Sequence, residues 1–131
     1  DVEALIEGLK DGTIDMVTSD HNPIDIEHKK VEFDHAKYGT VGLESAFGAL
    51  NSIFSIKKTI ELLTKGKDRF NIKVNSIQIG NTADMTLFNT KTSYTFTKEH
   101  IMSTSKNAIF NNVNLKGNCY GIIANNKVMI K

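Results

Sequence analysis

Residues 13–23 place the tightest limit on what this chain can fold into. Thr13-Ile14-Asp15-Met16-Val17 reads as a short, mostly apolar strand in which Ile14, Met16 and Val17 want burial. It runs into Thr18-Ser19-Asp20-His21-Asn22-Pro23, where a carboxylate and an imidazole stand side by side ahead of the only proline in the sequence. An apolar strand that breaks into a polar loop at such a pair is how α/β proteins build sites, because the strand fixes the backbone and its carboxyl end carries the chemistry. A parallel strand also needs neighbours on both sides, and no second strand is legible before residue 71. The first half is therefore expected to be the tail of a larger barrel or sheet. A first residue that is not methionine and that opens directly onto a helix fits a piece cut from something longer.

The rest of the chain is arranged around that corner. Val2, Leu5, Ile6 and Leu9 fall at helical spacing, with Asp1 as a cap and Gly12 as a stop, which predicts a helix over 2–10. From His21 to Gly42 the chain is polar and broken, with one helical turn expected within 26–31; loops of that length are usually functional or disordered. Leu43, Phe47, Leu50 and Phe54 form one helical ridge flanked by Ala46, Ala49 and Ile53, too much apolar surface to be covered from one side. Ser55 caps a further helix over 56–65 that is expected to end at Gly66. Beyond Asn71 the texture turns to strands. Ile77 and Ile79 alternate with polar neighbours, Gly80-Asn81 reads as a turn, and Met85 to Phe88 as a strand. Tyr94 and Phe96 mark another, and 120–124 and 127–130 flank Asn125-Asn126 as a hairpin. Four or five strands are expected in this half.

Composition excludes more than it proposes. A net charge of +1 with both signs scattered gives no basic face for nucleic acid. One cysteine, Cys119, allows no internal disulfide and no cysteine-based zinc cage, and in its apolar strand it reads as inert core. No apolar run approaches the roughly 20 residues needed to span a bilayer. The first residues lack a basic signal-peptide start, so a cytoplasmic protein with no membrane partner is expected.

With those residues in view, the chain resembles the C-terminal third of a dihydroorotase, in the metal-dependent amidohydrolase superfamily. Three blocks carry the likeness: Ala4 through Asp15 running into Thr18-Ser19-Asp20-His21-Asn22-Pro23; Glu32-Phe33-Asp34-His35-Ala36-Lys37-Tyr38-Gly39 with Gly42-Leu43-Glu44-Ser45-Ala46; and Ile79 through Phe88. The first two are fairly specific for dihydroorotase over hydantoinase or allantoinase. The third, the family's return from its barrel to a small β-sandwich, is shared across the superfamily. The implied fold is α/β: the C-terminal part of a (β/α)8 TIM-type barrel followed by part of a small β-sandwich domain. Residues 1–70 would be the last barrel strand and helices, and residues 71–131 the sandwich segment.

The resemblance implies that Asp20 closes the last barrel strand, as a metal ligand and as the proton carrier in opening a ring amide. One or two zinc ions are implied, with the remaining ligands (a His-x-His pair, a bridging lysine and further histidines) upstream in the family and not in this chain. Alone, the segment is expected to hold no catalytic zinc site and to be inactive. Tyr38 and Gly39 match positions whose backbone meets substrate, where glycine allows close approach. The family's second histidine, four residues after the aspartate, helps hold the substrate carboxylate; here Ile24 stands in its place. His28, Lys29 or Lys30 are candidates to replace it.

Each of these residues also has a plainer reading. Asp20 can be a strand-end carboxylate capping a turn, and His21 a packing group at the barrel mouth rather than a substrate contact. His21, His28 and His35 are spaced by seven, but a broken loop gives that spacing no common face. Tyr38-Gly39 can be a turn, Glu44 can serve the dipole of its helix, and Asp84 can tie down a turn. Lys65-Gly66-Lys67 lacks the glycine pattern of a phosphate loop.

The leading function is zinc-dependent, reversible hydrolysis of dihydroorotate to N-carbamoyl-aspartate in pyrimidine synthesis, with allantoinase or hydantoinase as related readings. A non-catalytic homologue scaffolding aspartate transcarbamoylase is the alternative that Ile24 motivates, and a free-standing α/β binding module is the plainest one. Expected partners are the small-molecule substrate, the N-terminal remainder of the barrel and a second copy in a homodimer. An Asp20 carboxylate facing bulk solvent would count against an enzymatic role.

Overall fold

A computed structural model describes residues 1–131. Helix α1, Val2–Asp11, ends at Gly12, whose φ of 90° is the left-handed conformation that closes helices. Only Ile6 and Leu9 of its apolar stripe reach a buried cluster, formed with Leu50, Phe54 and Leu62, while Val2 and Leu5 face outward.

The strand expected over 13–17 is not paired. Its backbone links are Ile14 N–H to the Gly8 carbonyl (2.8 Å), Val17 N–H to the Leu62 carbonyl (3.0 Å) and, further on, a single parallel bridge between His21 and Thr40. The segment takes an extended path with Ile14, Met16 and Val17 half-buried, but no second strand lies beside it to complete a ladder. Two single 3-10 turns, Ile26–His28 and Phe33–His35, punctuate the polar loop.

Helix α2, Leu43–Ile53, is the centre of the molecule. The face it turns inward carries Ser45, Gly48 and Asn51, with Leu50 beside them, whereas Leu43 at the start of the expected ridge is exposed. Small residues are needed there because backbone meets backbone. A Cβ on Gly48 would stand 3.1 Å from the Leu115 Cβ and 3.2 Å from the Gly117 carbonyl oxygen. Asn51 then donates from Nδ2 to the carbonyls of Lys116 (2.8 Å) and Thr90 (3.0 Å), and Ser52 Oγ accepts from Lys116 N–H (2.9 Å). Helix α3, Ile56–Thr64, starts where Ser55 Oγ accepts from Lys58 N–H. Gly66 does not end the helical run; it opens a further turn, α4, Gly66–Arg69.

Residues 71–84 form no strand, and Ile77 and Ile79 are fully open to solvent. Their alternation therefore describes an exposed connection and not a half-buried strand. Three strands follow where four or five were expected: β1, Met85–Thr95; β2, Asn114–Ala124; and β3, Lys127–Ile130. They form one antiparallel sheet in the order β1-β2-β3. The two strands expected at 85–88 and at Tyr94 are one, interrupted by an irregularity between Asn89 and Ser93. Asn125 and Asn126, with φ of 51° and 58°, make the tight turn between β2 and β3. The cluster of Val41, Phe96, Ile101 and Leu115 crosses the boundary at residue 71, so the helical and β-rich parts share buried side chains.

Candidate functional site

The loop after Thr18 is held by an unusual backbone. Asp20 has a φ of 41°, in the left-handed region that aspartate tolerates better than most residues. Its side chain is exposed and makes no hydrogen bond or ion pair within the chain. Solvent therefore surrounds the carboxylate in these 131 residues, which by itself counts against an enzymatic role. The strained backbone is the feature of a kind that gathers at functional sites.

His21 turns the other way. Its Nδ1 accepts from the backbone N–H groups of Gly42 and Leu43, both at 3.2 Å, capping the start of α2, and its Nε2 lies 3.2 Å from Ser103 Oγ. Two donors on Nδ1 place the proton on Nε2, which donates to Ser103 Oγ. Glu44 Oε2 is 3.8 Å from Nδ1, beyond a hydrogen bond. An ion pair there would require a proton on the nitrogen that already accepts from two amides, so the helix-capping arrangement prevails. Both ring nitrogens are thus spent on the fold, and the geometry favours a structural His21 over a substrate contact.

Tyr38 and Gly39 lie on the far side of the same loop. Tyr38 projects into solvent, 92% exposed. Gly39 has a φ of 134°, and a Cβ there would stand 2.8 Å from both the Asn22 carbonyl oxygen and the Ile24 Cγ1. Its carbonyl accepts from Asn107 Nδ2 (2.9 Å), while the N–H groups of Tyr38 and Gly39 donate to nothing in the chain. Two free amide donors side by side are what backbone recognition of an anion or carbonyl requires. Close packing on Asn22 and Ile24 accounts for the glycine equally well. His28 is exposed and engaged through its backbone alone: its N–H donates to the Asp25 carbonyl (3.0 Å) and its carbonyl accepts from Lys37 N–H (3.1 Å).

No three His, Cys, Asp or Glu side chains come together in the chain. Asp20 is the candidate that is open to a cation, and it fits as one oxygen ligand of a larger set. The largest cleft, about 610 Å³, lies beside this loop between Asp25-Ile26-Glu27 and Lys98, Ser105 and Lys106. Asp20, His21, Tyr38 and Gly39 do not line it. A second cleft of about 400 Å³ contains Cys119, which is exposed on β2 and not in the core. Enough of its thiol is desolvated to push the thiol pKa up, and the Tyr94 hydroxyl in the same cleft is raised by burial and then by Cys119. A raised thiol is a poor nucleophile.

Sequence reasoning missed the residues that hold this loop. Ser103, Ser105 and Asn107 come from the β-rich half and carry no motif. Their hydroxyl and amide groups offered the only signal, in a stretch between Phe96 and Tyr120 to which the sequence assigned no element.

No protein-family model matches the chain. Curated proteins do. The chain is 41% identical over 123 residues to the dihydroorotase of Caldanaerobacter subterraneus subsp. tengcongensis, covering 89% of this chain and 28% of that protein. It is 39% identical over 124 residues to the dihydroorotase of Bacillus subtilis, covering 89% and 29%. Among solved structures it superposes on a D-hydantoinase (dihydropyrimidinase) from Thermus sp. with a TM-score of 0.84 at 21% identity, covering 98% of this chain and 31% of that one. A dihydropyrimidinase from Brevibacillus agri gives 0.82 at 20%, with the same coverage. The chain thus spans about three tenths of the curated relatives it matches. The resemblance read from the three sequence blocks holds: over most of its length the chain is similar to dihydroorotases. Its fold is that of the corresponding part of a TIM-barrel amidohydrolase, the C-terminal segment expected from the sequence.

Proposed function

We propose that this chain is the C-terminal segment of a zinc-dependent dihydroorotase, a cytoplasmic enzyme that interconverts dihydroorotate and N-carbamoyl-aspartate in pyrimidine synthesis. The observation that carries the reading is the 41% identity to a curated dihydroorotase over 89% of the chain. The left-handed backbone of Asp20 supports it.

In this reading Asp20 is one ligand of a site whose other donors, for one or two zinc ions, come from polypeptide preceding the matched segment. A bound zinc ion would supply Lewis acidity, making water nucleophilic at neutral pH and polarising the ring carbonyl. Asp20 takes the proton released as water attacks that carbonyl and returns it to the departing ring nitrogen; in the reverse direction it takes the proton from the closing nitrogen. The free N–H groups of Tyr38 and Gly39 fix a substrate oxygen. Partners under this reading are the substrate, the preceding part of the barrel and a second copy in a homodimer.

A second reading has one specific observation in its favour. Ile24, where the family's substrate histidine would stand, packs its side chain against Gly39 and offers no hydrogen bond there. A non-catalytic homologue that scaffolds aspartate transcarbamoylase would tolerate that change. Assaying the intact protein against dihydroorotate, hydantoin and allantoin in parallel separates the readings. Turnover of dihydroorotate alone supports the first, turnover of another ring moves the substrate, and none at all with zinc bound favours the scaffold.

A further inference from the structure

Three contacts join the β-rich half to the Asp20 loop and the start of α2 beside it. Met102 N–H donates to Glu44 Oε1 (3.0 Å) at the start of α2. Ser103 Oγ meets His21 Nε2 (3.2 Å), and Ser105 Oγ donates to the Ile24 carbonyl (2.5 Å). Ser103 and Ser105 thus grip the loop on both sides of Asn22-Pro23, while the other nitrogen of the His21 ring is held by Gly42 and Leu43 N–H. The residue immediately before His21 is the one whose backbone is forced to a φ of 41°. A left-handed aspartate persists only where its neighbours over-determine it, and on its C-terminal side those neighbours are these contacts.

We propose that residues 102–105 form a strap that sets the conformation of Asp20 through the His21 ring, with Ser103 as its central positioning residue. The catalytic part of this inference rests on the dihydroorotase reading. Ser103 touches neither substrate nor metal. It fixes the ring that fixes the turn.

The test uses the intact protein with three variants. Ser103→Ala should lower kcat roughly tenfold with KM little changed, and Ser103→Thr, which keeps the hydroxyl, should restore it. Ser55→Ala, which removes the cap of α3 far from the loop, should lower the melting temperature while leaving kcat alone. A Ser103→Ala enzyme with wild-type kcat, or one that Ser103→Thr fails to rescue, overturns the proposal. If the wild-type protein turns over no dihydroorotate, the enzymatic reading fails and the strap is decided by NMR. Ser103→Ala should then still shift the Asp20 and Asn22 amide signals and loosen the Nε2–H tautomer of His21. Unchanged signals would refute the strap itself.

Discussion

Gly48 of α2 lies against Gly117 of β2 so closely that a Cβ on the first would stand 3.2 Å from the carbonyl oxygen of the second. Gly117 itself has a φ of 81°, and a Cβ there would meet the Asn89 carbonyl oxygen at 2.7 Å and Asn51 Nδ2 at 2.8 Å. Gly117→Ala should therefore destabilise the fold by about 3 kcal/mol, backbone strain adding to a clash with backbone atoms. Gly80 has a φ of 93° with nothing within 4 Å, so Gly80→Ala should cost only about 1–2 kcal/mol. Urea midpoints of the two variants measure the difference; equal losses would mean that the α2–β2 contact has room to give.

Thr59 is fully buried in α3, and its hydroxyl has no hydrogen-bond partner. Removing an unsatisfied buried hydroxyl while keeping the side chain's shape relieves a desolvation cost. Thr59→Val should raise stability by about 1 kcal/mol. A loss on denaturant titration would show that the hydroxyl is satisfied.

These cases also mark how far sequence could be read. The helix from Val2, the Ser55 cap and the Asn125-Asn126 hairpin follow from local chemistry, and they form. The face of α2 that meets the sheet does not follow. Ser45, Gly48 and Asn51 are buried because two backbones approach each other, whereas the hydrophobic ridge that dominates the sequence begins at an exposed Leu43. The strand over 13–17 could be recognised by its apolar pattern but not paired, since a ladder depends on partners far away in sequence. At the candidate site Asp20, Tyr38 and Gly39 were visible through the family resemblance. The hydroxyls of Ser103 and Ser105 were not, because their meaning comes entirely from a contact made some eighty residues away.

Asp15 receives Arg69 Nε at 2.7 Å and also the Arg69 Nη2, and this hydrogen bonding holds its carboxyl below the ordinary value of 3.8. Asp11, accepting from Thr13 N–H at 2.8 Å, is lowered for the same kind of reason. A depressed folded pKa gives stability that is present above the unfolded value and lost as pH falls through the folded one. The melting temperature should fall with acid from about pH 4 downward, and Asp15→Asn should flatten part of that slope, more at low salt than at high. An unchanged acid limb in Asp15→Asn would remove the Arg69 contact from the account.

Both residues of the β2–β3 turn are left-handed, with Asn126 at a φ of 58°. Asn126→Gly, giving the Asn-Gly pair that such turns favour, should stabilise the hairpin by about 0.5 kcal/mol. Amide exchange of the β3 residues would slow accordingly, and faster exchange would contradict the turn.

The central claim concerns one carboxylate, and turnover of dihydroorotate by the intact zinc-loaded protein tests it most directly. The account predicts hydrolysis that a chelator abolishes and zinc restores. Asp20→Asn, which keeps a side chain tolerant of the left-handed backbone, should lower kcat by about a thousandfold. Turnover by Asp20→Asn at the wild-type rate, or no turnover by the zinc-loaded wild-type protein, would contradict it.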